Sequence, residues 1–138
     1  MKKVLIINGV NLGELGTREI QIYGSQSFDA YLNELRTQFS GVQIDFFQSD
    51  SSEEIVKQLL NSKHYDGIIL NPGAYTHTSI VIADAIKAIS VPVIEVHISN
   101  LFGREQYRKN SFISAACIGS ISGFGYKSYK LGINYFLD

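Results

Sequence analysis

Five short apolar runs rich in branched residues recur along the chain: Val4 to Ile7, Val42 to Phe47, Gly67 to Leu70, Val91 to Ile98 and, with a weaker pattern, Cys117 to Ile121. Runs of this length without polar alternation read as strands covered on both faces. Between them the spacing becomes helical. Phe28, Leu32, Leu35 and Phe39 recur at helical intervals, Ile55, Leu59 and Leu60 follow the capping-box pattern Ser51-Ser52-Glu53-Glu54, and Thr78 to Ile89 reads as a third helix.

Strands alternating with helices, joined by crossovers long enough for parallel pairing, predict an α/β fold. Five such strands give a flavodoxin-like open doubly wound sheet of five parallel strands with helices on both faces. Pro72 and Pro92 stand at strand edges, and the three glycines between Gly119 and Gly125 suggest a tight strand-to-helix turn. A chain of 138 residues, 45% hydrophobic, encloses one core, so residues 1–138 read as a single domain.

Charge narrows the partners. Twelve basic side chains against thirteen acidic ones leave no broad positive field for nucleic acid or an anionic membrane, so a small molecule is the expected partner. Cys117 is the sole cysteine, which rules out an intrachain disulfide and a multi-cysteine zinc site and predicts a small buried hydrophobe. The first apolar run stops at Asn8, too short for a secretory core or a membrane span, and a cytoplasmic location is expected.

In open parallel sheets ligands bind beyond the carboxyl ends of the strands. Three polar groups fall there: Asn8-Gly9-Val10-Asn11-Leu12-Gly13, Asn71-Pro72-Gly73-Ala74-Tyr75-Thr76-His77-Thr78-Ser79 and Glu95-Val96-His97-Ile98-Ser99-Asn100. Taken singly, Asn beside Gly is ordinary turn chemistry and Thr78-Ser79 is an ordinary helix cap. Glu95 and His97 are harder to set aside. Two residues apart, they project from one face of a strand otherwise built of Val and Ile. A carboxylate beside an imidazole fixes its tautomer and favours its protonated form, as a proton donor requires. His64, before Tyr65-Asp66, reads instead as a solvated helix-end residue. The polar stretch from Gly9 to Gly24, carrying Arg18, Glu19 and Tyr23, has the length of a connection that closes over something, and it contains neither a dinucleotide fingerprint nor a phosphate loop.

In order along the chain stand Asn8-Gly9-Val10-Asn11-Leu12, Arg18-Glu19 with Tyr23-Gly24, Asn71 with Thr76-His77-Thr78-Ser79, and Glu95-Val96-His97-Ile98-Ser99-Asn100 with Arg104-Glu105. Together they resemble the type II dehydroquinases, whose patterns are Asn-Gly-Pro-Asn-Leu, Arg-Glu-(x)3-Tyr-Gly, Asn-(x)4-Thr-His-Thr-Ser and Glu-Val-His-(x)-Ser-Asn-(x)3-Arg-Glu. The resemblance implies anti elimination of water from 3-dehydroquinate, giving 3-dehydroshikimate through an enolate. It places this hydro-lyase step in the shikimate pathway toward chorismate and the aromatic amino acids, with no metal and no cofactor.

By the same resemblance Tyr23 is the base. A free phenol is only about one-thousandth ionised at pH 7, a handicap of about 4 kcal/mol, so nearby cations are required. Arg18 and Arg108 match those positions. Asn11 is expected to stabilise the enolate oxygen, and His97, held by Glu95, to protonate the departing hydroxyl. Asn71 is expected to help position that acid. The resemblance assigns the substrate carboxylate to the backbone N–H groups of Ile98 and Ser99 with the Ser99 hydroxyl, and ring hydroxyls to His77 and Arg108, with Arg104 in support.

Asp84 matches a further family position. If His77 and Asp84 share one helix, they lie about 10 Å apart along it, too far for one small ring to span. This agrees with the arrangement the resemblance implies, in which Asp84 reaches a neighbouring subunit's site and trimers assemble into a homododecamer. Val10, Ala83 and Ala115 depart from the family pattern, standing where it usually has proline, arginine and proline. The competing readings are a non-catalytic flavodoxin-like module holding phosphate or flavin, and a metal hydrolase using His77, His97 and Asp84. The first lacks an aspartate-rich phosphoacceptor pocket after the first strand, where Asn8 and Asn11 stand instead, and the second lacks a short ligand spacing.

Overall fold

A computed structural model describes residues 1–10, 26–77, 79–100 and 111–138, the side chains of Val10, Ala74 and His77 excepted. In chain order the elements are β1 (Lys2–Val10), α1 (Phe28–Gln38), β2 (Val42–Gln48), α2 (Ser52–Leu60), β3 (Gly67–Gly73), a 3-10 turn (Ala74–His77), α3 (Ile80–Ala88), β4 (Val93–His97), a second 3-10 turn (Ser114–Ala116), β5 (Gly119–Ser122) and α4 (Lys127–Leu137). All pairings are parallel and the strand order is β2-β1-β3-β4-β5, the flavodoxin-like order with its reversal between β1 and β3.

Period-two alternation sorts the sheet's side chains into two cores. Val4, Ile6, Ile44, Ile69, Ile94 and Val96 face Phe28, Leu32 and Leu35 of α1 and Tyr129, Ile133 and Phe136 of α4. Leu5, Ile7, Ile68, Leu70 and Val93 face Ile55 and Leu59 of α2 and Ile82 and Ile86 of α3. Burying each such side chain is worth about 1.5–3 kcal/mol against leaving it in water. No helix among the described residues is long and apolar enough to cross a membrane.

The helix starts follow their side chains. Ser51 Oγ accepts from Glu54 N at 3.3 Å, the forward arm of the expected capping box. The return arm is relayed: Ser49 Oγ donates to Glu54 Oε2 at 2.7 Å and accepts from Ser51 N at 3.0 Å.

Several boundaries differ from the sequence expectation. β1 runs on to Val10, because Asn8 pairs with Gln48 and Asn71, and Val10 with Gly73, through backbone groups that need no apolar side chain. β4 is shorter than Val91 to Ile98. β5 begins at Gly119 and its residues are exposed or half-buried, since the last strand of the order has only one neighbour. α3 begins at Ile80 rather than Thr78: Ser79 is its extended N-cap (φ −95°, ψ 106°), and its hydroxyl accepts from Ile82 N at 3.2 Å.

Candidate active site

The sheet brings the expected polar residues to its carboxyl edge. Asn8 and Asn71 are paired neighbours at the ends of β1 and β3, where the strand order reverses, and His97 is the last residue of β4. β1 and β3 come together tightly there. A Cβ on Gly9 would lie 2.5 Å from the carbonyl oxygen of Pro72, so only glycine permits this approach.

Glu95 and His97 are both buried and share the face of Val93, as the two-residue spacing predicts. Around Glu95 the structure supplies donors that the sequence reading did not identify. Ser111 Oγ donates to Oε2 at 2.9 Å, Ser120 Oγ to Oε1 at 3.2 Å, and Ser114 Oγ makes a close hydrogen bond to Oε1. His97 Nε2 stands 2.9 Å from Oε2, an ion-pair distance, but its N–H is turned off the line to that oxygen and has no aligned acceptor among the described residues. Burial alone pushes the Glu95 carboxyl up; His97 and the hydroxyls of Ser114 and Ser111 outweigh it and hold the group below the ordinary carboxylate value. The result is a buried anion that can only accept hydrogen bonds.

Sequence patterning hides this cradle for a simple reason. Ser120 meets Glu95 because the two are partners in the β4–β5 register, and Ser111 and Ser114 arrive from a segment with no strand of its own. Cys117 packs against the α2/α3 core but is only partly buried, less so than the expected buried hydrophobe, and burial with the Glu95 charge pushes its thiol up to about 12.

The other side of the edge holds a second buried network. Asn71 Nδ2 donates to the Tyr129 hydroxyl at 2.9 Å, and that hydroxyl donates to Asn8 Oδ1 at 2.7 Å. Asn71 Oδ1 accepts from Gly73 N at 3.2 Å. Asn71 thus shares the face of Ile69, opposite the face of His97, and its amide is engaged with Tyr129 and Gly73. Tyr129, from the last helix, went unread in the sequence, where it looks like one more core aromatic.

The backbone after β4 is pinned by the turn into α4. Gly123 N–H and Ser128 Oγ donate to the His97 carbonyl at 3.2 and 3.3 Å, and Gly125 N–H donates to that of Ile98 at 2.9 Å. Gly123 and Gly125 adopt φ values of 96° and 60°, which side chains rarely tolerate and which the glycine-rich stretch foretold. Ile98 is buried with the α1/α4 core and Ser99 is half-buried.

Asp84 is exposed on α3. His77 closes the 3-10 turn before Ser79 rather than opening α3, so the two residues do not share one helix, and the offset of about 10 Å derived from that assumption does not apply. Asn11, Arg18, Tyr23, Arg104 and Arg108 lie outside the described residues. His64 is exposed after α2, its ring 4.2 Å from that of Tyr65, in keeping with a solvated helix-end residue.

Comparison with known proteins gives one consistent answer. The family model described as class II dehydroquinase matches residues 2–137. The 3-dehydroquinate dehydratase of Caldicellulosiruptor saccharolyticus is 49% identical over 96% of this chain and 94% of its own. The crystal structure of a type II dehydroquinase from Butyrivibrio crossotus superposes with a TM-score of 0.95 at 37% identity, over 99% of this chain and 98% of that one. That of the Propionibacterium acnes type II dehydroquinase gives 0.94, also at 37% identity, over 100% and 98%.

Proposed function

The chain belongs to the class II dehydroquinase family, and from that premise we propose that it is a 3-dehydroquinate dehydratase acting by anti elimination through an enolate. The observation that carries the proposal is the buried Glu95–His97 pair at the end of β4, with three serine hydroxyls on the carboxylate. In this reading the Tyr23 phenolate, made accessible by Arg18 and Arg108, removes the proton beside the ketone. The electron pair moves to the carbonyl oxygen, where Asn11 stabilises the enolate. His97 then protonates the departing hydroxyl, the carbon–oxygen bond breaks, and water leaves as the conjugated enone forms.

The remaining roles are part of the same proposal. The backbone N–H groups of Ile98 and Ser99 with the Ser99 hydroxyl receive the substrate carboxylate, His77 and Arg108 hold ring hydroxyls, and Asn71, facing away from His97 with its amide engaged by Tyr129 and Gly73, borders the substrate rather than positioning the acid. The pinning of the His97 and Ile98 carbonyls by the Gly123–Gly125 turn supports a rigid backbone cradle there. Asp84, exposed on one subunit, reaches the site of a neighbour in a trimer, and trimers form a dodecamer. One domain over residues 1–138, working in the cytoplasm on the route to aromatic amino acids, completes the reading.

Purified protein mixed with 3-dehydroquinate, without added metal, nucleotide or flavin, is expected to generate the ultraviolet absorbance of the enone. No absorbance change at any protein concentration overturns the assignment.

A further inference from the structure

Three buried polar atoms at the carboxyl edge have no hydrogen-bond partner among the described residues: Asn8 Nδ2, Thr76 Oγ1 and His97 Nε2. His97 is already the acid of the proposed reaction. Asn8 has no assigned role, and its environment fixes its orientation in an unusual way. Gly73 N–H is a backbone donor, so the Asn71 atom facing it at 3.2 Å must be the oxygen. The Asn71 amide nitrogen is then the atom facing Tyr129, whose hydroxyl accepts from it at 2.9 Å. Burial raises the pKa of this phenol and keeps it neutral, leaving one proton to donate. That proton goes to Asn8 at 2.7 Å, which makes the accepting atom of Asn8 its oxygen. The polarity of the whole chain is therefore dictated by one backbone N–H, and the Asn8 amide nitrogen is turned away from Tyr129.

We propose that Tyr129 is a positioning residue of the active site: through Asn71 and Asn8 it holds the Asn8 Nδ2 donor toward an oxygen of the bound substrate. The inference rests on the dehydratase reading for the identity of that substrate, a ring bearing hydroxyl, ketone and carboxylate oxygens. A buried donor left without an acceptor is costly, and a ligand oxygen supplies the missing partner. Asn8 lies at the strand-order reversal, beside Asn71, where ligands of this sheet architecture bind.

Tyr129→Phe is the direct test, because it keeps a ring that packs 4.9 Å from Phe28 and removes only the hydroxyl. The expected result is a KM for 3-dehydroquinate raised about tenfold with a smaller fall in kcat, as loss of one oriented hydrogen bond implies. A variant with reduced thermal stability but unchanged kcat and KM shows a purely structural hydroxyl and overturns the proposal. A second measurement needs no variant. In the wild-type protein the side-chain amide NMR signal of Asn8 is expected to shift when 3-dehydroshikimate is added. Signals of other site residues moving while Asn8 stays put overturns the proposal, since its donor is then satisfied elsewhere. Absence of wild-type turnover would defeat the dehydratase reading alone. The network itself is read separately, by the change in the ligand-free Asn8 and Asn71 amide signals on Tyr129→Phe; no change there defeats the network.

Discussion

A carboxylate removed from water persists as an anion only where polar groups replace its hydration, and at Glu95 these are the donors Ser111, Ser114 and Ser120, with the His97 ring at ion-pair distance. The folded state binds a proton at Glu95 less readily than the unfolded chain does. This contribution to stability is therefore complete above the ordinary value of 4.5 and is lost as pH falls below it toward the depressed folded value. Glu95→Gln is expected to destabilise the protein by about 3 kcal/mol at neutral pH, and urea unfolding should show the gap to wild type narrowing in acid. A gap that stays constant down to about pH 3 would mean that ionisation of Glu95 contributes nothing. Tyr23 carries a prediction of a different kind. If Tyr23 is the proposed base, Tyr23→Phe removes the proton acceptor and little else, so kcat should fall about 10²–10⁴-fold while the dissociation constant of 3-dehydroshikimate changes little. Lost binding or lost folding would remove the base assignment.

At the level of elements, the central strands were legible because β1 and β3 are buried on both faces and keep uninterrupted branched runs. The edge strand β5 was blurred because half of its surroundings are solvent, and its Gly and Ser residues mark no period. The helices α1 and α2 were placed by Phe28 and by the Ser51 cap, whereas the start of α3 was misjudged by two residues because Thr78 and Ser79 both have capping chemistry. The site divides in the same way. Glu95 and His97 were visible as polar residues on a strand of valine and isoleucine, while Ser120 and Tyr129 became visible only through register and helix docking. Two substitutions separate capping from close approach. Ser51→Ala is expected to cost about 1 kcal/mol in denaturant unfolding and to leave turnover intact. Gly9→Ala forces a Cβ against the Pro72 backbone, 2.5 Å away, and should cost about 1–3 kcal/mol together with a clear loss of kcat/KM. Unaltered activity in Gly9→Ala would show that the β1–β3 junction can yield without disturbing the site.

On the scale of the whole molecule, each of the two cores needs a helix pair on one sheet face: α1 and α4 come from distant parts of the sequence, α2 and α3 from consecutive crossovers. Assembly extends this dependence beyond one chain if Asp84 completes a neighbour's site. Specific activity is then expected to fall when the oligomer is diluted to monomers, measured by sizing and assay on the same samples. A verified monomer with full activity would refute a shared site. Within the chain, the hydrogen bond from Tyr129 to Asn8 joins residues 121 positions apart. During synthesis from the amino terminus, the first strand leaves the ribosome long before the partner of its terminal amide exists. The carboxyl edge of the sheet must therefore be among the last parts of the fold to be locked, and a nascent chain halted before α4 would present an open sheet with the orientation of its terminal amides unset.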